Sequence, residues 1–380
     1  MEQDFKIGII GGGPAGCCCA YFLREYANVS IIDNHPLMST ILPTGGGRCN
    51  LAHAEFDFRE LAKNYPRGEK FLYSIFSKFG TGDTIDLFQQ LGIETYTQVN
   101  GRIFPTSNSS KEVQENFVKN IKAKHIKEKA LRIEILENGF KVVTDMNSYK
   151  FDKLICATGG HSGYDMIKRI GISVINPKPS LVGLVTTEKF SDLMGVVSEN
   201  AYSNDFDLSG NILFTHFGVS GPLIYQISSL KARDNMPYNL SFDLCPDLEN
   251  LQDVLNNNSH KFIKNVLGEY LPMSLAEWIL KKCDITSDTP AHKINGKQRD
   301  SILNKIHNFE ITVKSTQKDG ETVSAGGVDL DKINPKTMES KEVAGLYFCG
   351  EVINVDGFCG GFNLQNCWST AYIAASAIKN

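Results

Sequence analysis

Three glycines near the N-terminus have the spacing of a dinucleotide-binding loop. Gly11, Gly13 and Gly16 form G-x-G-x-x-G, and the segment also contains Pro14 and Ala15. The first glycine permits a tight turn, the second lets the backbone approach a pyrophosphate, and the third allows close packing of helix on strand. A helix that begins here would direct N–H groups and partial positive charge at the phosphates. These residues therefore predict the binding of a dinucleotide.

An acidic residue stands where a ribose-binding group is expected. Residues 5–10 have the pattern of a buried strand, residues 17–27 that of a helix, and residues 29–33 that of a second strand. The second strand ends in Asp33, close to the distance of about 20 residues at which such an acid contacts a ribose hydroxyl. This β–α–β context favours dinucleotide binding. The alternative is a glycine-rich turn beside a buried polar strand end.

The elements that must position these residues alternate between helix and strand in the first half of the chain. Helices are predicted over 57–79, 82–91 and 111–129, and strands over 130–136, 139–144 and 152–157. After about residue 180 the pattern changes to short alternating strands and turns, which indicates a small β-barrel or sandwich. Helical periodicity then covers 247–308, strand character returns at 311, and a last helix is predicted over 364–379.

Two distant segments favour FAD as the resident dinucleotide. The strand at 152–157 leads into a segment that resembles the second conserved segment of two-dinucleotide flavoproteins, namely Ala157, Thr158, Gly159 and Gly160. The segment that ends in Gly350 and Glu351 resembles the C-terminal strand of these proteins, whose final acid holds the ribityl chain. Glu351 replaces the aspartate that is usual at this position.

The last predicted helix begins beside a pair of glycines. Gly361 is followed by Phe362, Asn363 and Leu364. The helix N-terminus would direct partial positive charge at the N1/O2 edge of a flavin and stabilise the anionic reduced form. The chain has no second G-x-G-x-x-G, so NAD(P)H is expected to visit the flavin transiently rather than to occupy a domain of its own.

Together these motifs resemble one family over nearly the whole chain. The chain is similar to the HI0933-like or BaiN-like (YhiN-type) family of bacterial NAD(P)/FAD-dependent oxidoreductases. The motifs that carry the resemblance are GGGPAG at 11–16, TGGGRCN at 44–50, ATGG at 157–160, LFTHFGVSGP at 213–222, AGGV at 325–328, NPKTMESK at 334–341, GLYFCGEVINVDG at 345–357 and GGFNLQ at 360–365. The sequence departs from the family where Asp33 replaces glutamate, Cys359 replaces threonine and Phe362 replaces tyrosine.

The resemblance implies an α/β fold in which a Rossmann-type two-dinucleotide-binding flavoprotein domain is interrupted by a β-barrel and a small helical subdomain. We expect the domain that binds FAD to be built from both ends of the chain. The expected divisions are 1–185 for the first part of the FAD domain, 186–245 for the barrel, 246–310 for the helical subdomain, 311–324 for a returning strand and 325–380 for the second part of the FAD domain.

A glycine-dense loop supplies further candidate cofactor contacts. The glycines of this loop, including Gly46 and Gly47, would let the backbone lie flat against a large planar group, which the resemblance implies is the isoalloxazine. Arg48 could hold a phosphate or the flavin edge, and Asn50 could hydrogen-bond the ring. Cys49 lies between them and is assigned to the cofactor site by its position in the same motif.

Two residues are candidates for proton transfer near the flavin, and two others stand beside the cofactor motifs. Cys49 could protonate a carbanion after hydride delivery, although a packed buried thiol is the alternative. His216 titrates near neutral pH and could act as acid or base, with a satisfied loop position as the alternative. His161 follows the ATGG segment and could lie near the cofactor, with a helix-capping or packing role as the alternative. Cys359 precedes the glycine pair, where a packing role is favoured over catalysis.

The family resemblance leaves the reaction open among several flavin chemistries. The leading interpretation is NAD(P)H-dependent reduction of an activated C=C bond by hydride transfer through flavin N5. The alternatives are an oxidase of small, aminoacetone-type amines that uses O₂, a ribosomal RNA dihydrouridine synthase, and a non-catalytic or sensor flavoprotein. A small-molecule substrate is favoured over ribosomal RNA, and the sequence leaves the oligomeric state open.

Composition limits the partners and the cellular location. The net charge of −4 gives no global attraction to nucleic acid or anionic membranes, and no apolar run reaches the ~20 residues needed to cross a bilayer. The N-terminus lacks the basic region of a signal peptide, so a cytoplasmic location is expected. The ten cysteines contain no CxxC pair, which predicts mainly buried thiols and no metal site.

One lysine-rich stretch could contact RNA phosphates. Its basic residues are Lys119, Lys122, Lys124, Lys127, Lys129 and Arg132. A solvated helix face is the alternative, because charge runs usually have that role and aromatic residues that could stack on bases are missing here.

Overall fold

A computed structural model describes residues 5–318 and 323–380. The chain divides into two compact units, which are treated separately below. Within the described residues, unit 1 comprises 5–178 with 323–380, and unit 2 comprises 179–318. Each unit has a hydrophobic cluster of its own.

Unit 1 takes its elements from both ends of the chain. Its first part contains β1 (Lys6–Ile10), α1 (Pro14–Leu23), β2 (Asn28–Ile32), β3 (Ala52–His53), α2 (Phe58–Lys63), α3 (Glu69–Phe76), α4 (Thr81–Gln90), β4 (Thr95–Thr97), β5 (Arg102–Pro105), α5 (Ser110–Asn120), β6 (Ala123–Ile126), β7 (Ala130–Leu136), β8 (Gly139–Thr144), β9 (Ser148–Phe151), β10 (Lys153–Cys156), α6 (Tyr164–Arg169) and β11 (Val174–Ser180), the last of which extends two residues into unit 2.

Unit 2 contains a closed barrel and several helices. Its elements are β12 (Leu184–Thr186), β13 (Val197–Ser203), β14 (Ser209–Phe214), β15 (Gly218–Ser220), α7 (Pro222–Leu230), β16 (Tyr238–Asp243), α8 (Leu251–Asn257), α9 (Ile263–Leu267), α10 (Met273–Lys282), α11 (Gly296–His307) and β17 (Phe309–Thr316). The six strands close in the order β12-β15-β14-β13-β16-β17. Helices α8 to α11 follow one another between the last two barrel strands.

The chain then returns to unit 1 and completes its parallel sheet. The returning elements are β18 (Val323–Val328), β19 (Leu346–Phe348) and α12 (Phe362–Lys379). The sheet has the order β19-β10-β1-β2-β6, and its central strand β1 pairs in parallel with β10 and β2. Strand β19 pairs in parallel with β10, so the C-terminal segment forms one edge of the sheet. The predicted fold class is confirmed: an α/β Rossmann-type domain accompanied by a β-barrel.

Local sequence explains the central strand and the helices that cover it. Ile7, Ile9 and Ile10 are buried in β1, where apolar and β-branched residues pack on both faces of a parallel sheet. Helix α1 packs against α12, and the consecutive thiols of α1 (Cys17, Cys18 and Cys19) have no exposed surface. Eight of the ten cysteines are buried, which confirms the prediction of mainly buried thiols.

The helix predicted over 111–129 is wrong in its second half. Helix α5 ends at Asn120, and Ile121 already has extended backbone angles. The next residues form β6, which pairs in parallel with β2 from Val29↔Ala123 to Ile32↔Ile126. Hydrogen bonding to the sheet therefore outweighs the helix propensity of the lysines, and the basic stretch spans a helix end, an edge strand and the start of β7.

Candidate active site

The G-x-G-x-x-G segment forms the turn between β1 and α1. Gly11 has φ of 106°, and a Cβ there would lie 2.2 Å from the Ala157 carbonyl oxygen. A Cβ on Gly16 would lie 1.9 Å from the Gly11 oxygen, so this glycine allows helix and strand to touch. A Cβ on Gly13 would meet only the Thr40 Oγ1, at 3.5 Å. The backbone at Gly13 therefore presents an open face.

Helix α1 begins beside that open face. It starts at Pro14, and no side chain caps its N-terminus. The N–H groups in the first turn of a helix lack partners within the helix and carry partial positive charge. Proline is suited to this first position because it has no N–H to leave unpaired. The turn can therefore bind an anionic pyrophosphate.

Asp33 lies at the end of β2 and is bound to the same turn. Its carboxylate accepts hydrogen bonds from the backbone N–H of Gly12 at 2.6 Å and of His35 at 2.8 Å. The His125 ring, on β6, contacts the Asp33 carbonyl oxygen through Nε2 at 2.9 Å. These contacts fix a partly buried carboxylate beside the glycine turn, where it can accept a hydrogen bond from a ribose hydroxyl.

The glycine-dense loop also presents open backbone. Gly45, Gly46 and Gly47 have φ values of 59°, 68° and 83°. A Cβ on Gly46 would have nothing within 4 Å, and one on Gly47 would meet only a carbonyl oxygen at 4.0 Å. Arg48 donates from Nε to the Gly45 oxygen at 3.1 Å, and its guanidinium lies 4.3 Å from the centre of the Phe104 ring. The loop can therefore pass closely against a flat ligand.

Cys49 and Asn50 point into the protein rather than along the open face of this loop. Cys49 has no exposed surface, and burial raises the pKa of its thiol to about 12. The Asn50 amide, with its nitrogen facing the carbonyls of Ile103 and Ala52, accepts a hydrogen bond from the Gly361 N–H at 3.0 Å. Asn50 therefore joins the glycine-dense loop to the start of α12.

The segment after β10 lies across the turn from Gly11. Gly159 has φ of 75°, and a Cβ there would have no neighbour within 4 Å. The Thr158 hydroxyl donates to the Ser162 carbonyl at 2.9 Å, and a Cβ on Gly160 would approach the Ser324 side chain. His161 is exposed and its Nδ1 lies 3.2 Å from the Ser324 hydroxyl. This segment thus adds a further open backbone position to unit 1.

Glu351 follows β19 and has an altered protonation equilibrium. The preceding residue, Gly350, donates its N–H to the Thr370 hydroxyl on α12 at 2.9 Å. Burial raises the pKa of the Glu351 carboxyl to about 7, and the nearby negative charge of Asp356 adds to the increase. Asp356 is itself buried and forms a two-pronged ion pair with Arg67.

Helix α12 begins at Phe362, directly after Gly361, close to the glycine-dense loop. Gly361 has φ of 100°, and a Cβ there would lie 2.3 Å from the Ala52 carbonyl oxygen. Phe362 is buried, and the Asn363 amide both donates to and accepts from the backbone of Gly357. The side chains of Phe362 and Asn363 thus support the loop, while the partly buried Leu364 follows in the first turn of the helix.

The structure shows supporting residues that sequence reasoning missed. His53 contacts the Gly360 carbonyl oxygen through Nδ1 at 3.1 Å, and its ring stacks on Phe362 with centres 4.6 Å apart. The Tyr65 hydroxyl donates to the Phe362 carbonyl at 2.6 Å. These partners are about 300 residues apart in sequence, and only their position between glycine-rich motifs could have drawn attention to them.

His216 and Cys359 lie in different surroundings. His216 is exposed in unit 2, between β14 and β15, and its ring packs edge-on against Phe217. Cys359 is the exposed cysteine of the chain, and the Arg102 guanidinium lies 3.9 Å from its sulfur. No group of three or more His, Cys, Asp or Glu side chains within the described residues is arranged to hold a metal ion. None of the helices in that part of the chain is long and apolar enough to cross a membrane.

The open glycine faces, the two helix N-termini and the strand-end acids together fit an FAD molecule. The glycine turn and α1 suit its pyrophosphate, Asp33 suits its ribose, and the glycine-dense loop with α12 suits its ring. This combination on a parallel sheet defines an FAD-dependent oxidoreductase. A profile described as the HI0933-like protein Rossmann domain matches residues 5–377. The chain belongs to the HI0933-like family.

Three curated relatives match nearly the whole chain. The ribosomal RNA dihydrouridine synthase of Haemophilus influenzae is 31% identical over 411 residues and covers 100% of both chains. The enzyme of the same name from Escherichia coli is 30% identical, covering 99% of this chain and 98% of its own. The 3-dehydro-bile acid delta(4,6)-reductase of Clostridium scindens is 29% identical and covers 98% of both chains.

A solved structure shares the fold at low sequence identity. The 3-ketosteroid delta1-dehydrogenase of Sterolibacterium denitrificans has a TM-score of 0.51 and 10% identity, with 100% of both chains covered. At this identity the likeness concerns the fold alone.

Proposed function

We propose that this protein is an NAD(P)H-dependent reductase that adds two hydrogens across a C=C bond activated by a neighbouring carbonyl. The observation that carries the proposal is the meeting of α12 and the glycine-dense loop through Asn50 and Gly361. A helix N-terminus at the ring site favours the reduced cofactor, because reduction leaves negative charge on the ring. A flavin stabilised in this way readily accepts a hydride from NAD(P)H, and an open face at the ring allows that hydride to pass on to a carbon.

The relatives support this reaction class. One relative is named for dihydrouridine, which forms when two hydrogens are added to the C=C bond of uracil beside its carbonyl. Another is named as a delta(4,6)-reductase of a 3-dehydro-bile acid, whose double bonds extend from a carbonyl. The two names describe different substrates but the same kind of reaction. They therefore support the type of bond that is reduced, and they leave the substrate open.

Different residues of unit 1 are assigned to different parts of the cofactor. When bound, FAD supplies hydride transfer through its N5 atom. We assign the pyrophosphate to Gly11, Gly13, Pro14, Ala15 and Gly16, and the ribose to Asp33. We assign the flavin and ribityl chain to the residues Gly46, Gly47, Arg48, Cys49, Asn50, Ala157, Thr158, Gly159, Gly160, Gly350, Glu351, Gly361, Phe362, Asn363 and Leu364. Within this set, the glycines offer backbone, while Asn50 and Asn363 hold loops in place.

Reduction of a C=C bond also requires an acid that donates a proton to the second carbon. Cys49 holds its proton over the whole neutral range but has no exposed surface. His216 is exposed but belongs to unit 2. Both assignments stay predictions, and variants at each position test them.

Anaerobic reduction tests the redox partner. We expect NADH or NADPH to bleach the yellow FAD-loaded protein, and an acceptor with a carbonyl-activated C=C bond to restore the colour. Failure of both nucleotides to bleach the flavin would contradict the proposed donor. Hydrogen peroxide released on addition of small amines in air, without such bleaching, would instead support an amine oxidase.

Ribosomal RNA is the candidate substrate with the broadest support. Two relatives at 31% and 30% identity carry the name ribosomal RNA dihydrouridine synthase. In addition, Lys119, Lys124 and Lys127 are exposed around the edge strand β6. The test compares dihydrouridine in ribosomal RNA from cells with and without the gene. We expect its loss from one or more positions, and an unchanged content would contradict this substrate while leaving the reaction class in place.

A further inference from the structure

His53 occupies a confined position beside the glycine pair that precedes α12. Its Nδ1 lies 3.1 Å from the Gly360 carbonyl oxygen, and its ring stacks on Phe362 at an interplanar angle of 24°. On the far side of the ring, a Cβ on Gly101 would lie 2.5 Å from Nε2. Gly101 has φ of 78°, so backbone angles and space both favour glycine there. The lack of a side chain at Gly101 therefore leaves the space that the His53 ring occupies.

The hydrogen bond at Gly360 fixes the tautomer of His53. A carbonyl oxygen can only accept, so Nδ1 must carry the hydrogen and donate it. The next residue, Gly361, gives its N–H to the Asn50 side chain. The Ala52 carbonyl lies against the Gly361 backbone so closely that a Cβ would approach it to 2.3 Å. Asn50, Ala52 and His53 thus each contact the backbone of Gly360 or Gly361.

We propose that His53 is a positioning residue that sets the reduction potential of the flavin by fixing the Gly360–Gly361 backbone at the start of α12. The inference uses the FAD site and does not depend on which substrate is reduced. Nothing in it requires His53 to touch the cofactor or to exchange a proton during turnover.

The physical link is the direction of the helix N-terminus. Partial positive charge at this end falls off within the first turn, so a small shift of the first residues changes the field at the ring. When the Nδ1–H donor is lost, the Gly360 carbonyl loses one of its restraints. The turn then relaxes, the field at the ring weakens, and the reduced flavin is stabilised less than before.

Two substitutions separate the hydrogen bond from the stacking contact. In His53→Asn the amide nitrogen can replace Nδ1 as donor, but the ring that stacks on Phe362 is removed. In His53→Phe the ring remains and the donor is removed. The midpoint potential of each variant, titrated with saturating FAD, gives the affinity of the protein for reduced relative to oxidised FAD.

We expect His53→Phe to lower this affinity ratio about two- to fivefold, with a more negative potential, and His53→Asn to remain near the parent. If His53→Phe fails to retain FAD while His53→Asn retains it, the inference is also supported. An unchanged potential in His53→Phe overturns the proposal. An equal shift in both variants, or loss of FAD from both, also overturns it, because packing alone would then explain the role.

His125→Phe is the matched control. His125 also contacts a backbone carbonyl through a ring nitrogen, but this carbonyl belongs to Asp33, which is assigned to the ribose and not to the flavin ring. We expect this variant to keep the parent potential. A shift as large as that of His53→Phe would contradict the proposal, since it would mean that loss of any such histidine disturbs the flavin. If the protein reduces no C=C bond, the proposed function is contradicted. The measured potentials would still test the role of His53, because they do not depend on the substrate.

Discussion

At the scale of single residues, Glu351 couples the site to pH. Its folded-state pKa of about 7 lies above the ordinary value of 4.5, so the folded protein binds a proton more tightly than the unfolded chain. The carboxyl therefore contributes stability at low pH that is lost as the pH rises through about 7. Asp356 adds to the effect because two nearby carboxylates disfavour a second negative charge.

Replacement of Glu351 by glutamine should remove this dependence. We expect the FAD-free Glu351→Gln protein to melt at a higher temperature than the parent at pH 8, and at nearly the same temperature at pH 5. Thermal unfolding followed by circular dichroism at both values measures the difference. The exposed Glu115→Gln is the control and should show no such contrast between the two pH values. Equal melting temperatures of parent and Glu351→Gln at pH 8 would argue against a buried ionised carboxylate.

The buried thiol of Cys49 gives a second prediction for a single residue. Cys49→Ala should lower the free energy of unfolding by about 1 kcal/mol, as is common for a truncated core side chain. Because the thiol is unexposed and has a pKa of about 12, we expect the pre-reduced protein to transfer hydride to its acceptor at an unchanged rate. Stopped-flow reoxidation measures that rate. A large drop, with Cys359→Ala unaffected, would restore Cys49 as the proton donor.

Residue types around the glycine turn could be predicted where one backbone feature demands them, whereas their contacts with FAD stay a proposal. The glycines at 11, 13 and 16 follow from a known turn, and Asp33 follows from its distance along the chain. The contact of His53 with Gly360 joins residues 307 positions apart, and no local pattern encodes it. The burial of Cys49 also depends on tertiary packing, so sequence alone left its chemical role open.

At the scale of elements, the turn between β1 and α1 contains one glycine that is expected to serve binding and another that is needed for folding. A side chain at Gly13 would extend into open space, whereas one at Gly16 would collide with the Gly11 carbonyl oxygen. We expect Gly13→Val to fold and melt like the FAD-free parent, yet to bind FAD at least about tenfold more weakly. Gly16→Val should fail to fold.

Fluorescence titration with FAD and thermal melting of the FAD-free proteins test this pair. Normal FAD affinity in Gly13→Val would mean that the pyrophosphate lies elsewhere. A folded Gly16→Val would mean that helix and strand are packed less closely than the structure shows.

Element predictions succeeded where periodicity and pairing agree. The strands at 130–136 and 139–144 are confirmed as β7 and β8, because a two-residue turn joins them into a hairpin and burial alternates along β8. The helix predicted over 111–129 was wrong beyond Asn120. There the lysines suit a helix, but residues 123–126 pair in parallel with β2. A partner strand that is distant in sequence decided the outcome.

At the scale of the whole molecule, the two ends of unit 2 meet. The Gln317 N–H donates to the Gly183 carbonyl at 2.9 Å, and Leu184 pairs with Thr316. An insertion whose ends are adjacent can be removed at a small cost in loop closure. We expect a variant in which a short Gly-Ser linker replaces residues 184–316 to fold and to bind FAD, because unit 1 contains every residue assigned to the cofactor.

The absorption spectrum of the purified deletion variant measures this outcome. A flavin spectrum with bands like those of the parent agrees with the assignment. A soluble variant with native circular dichroism but no flavin, even after incubation with excess FAD, would contradict it. Gly13→Val introduced into the same deletion variant is the control and should remove the flavin bands.

The architecture of the fold could be predicted from the sequence, whereas the exact division of the chain into domains stays a prediction. The parallel sheet followed from a few strong motifs, and the C-terminal strand could be assigned to it through the family resemblance. Unit 1 ends at residue 178 and resumes at 323, and the divisions at 185/186 and 324/325 stay predictions. Strand β11 pairs with β18 before the barrel begins, and neither strand has a pattern that reveals its partner. The helical subdomain at 246–310 stays a prediction.

The mass of the product tests the central claim most directly. Purified FAD-loaded protein is incubated without oxygen with NADPH or NADH and unmodified ribosomal RNA. A parallel reaction contains an unsaturated 3-keto steroid acid instead of the RNA. The masses of the resulting nucleosides or steroids are then measured by mass spectrometry. The account predicts a product heavier by two hydrogens in one of the two reactions, dependent on the nucleotide and missing with Gly13→Val. Bleached flavin that is never reoxidised by either compound, with no mass gain, would contradict it.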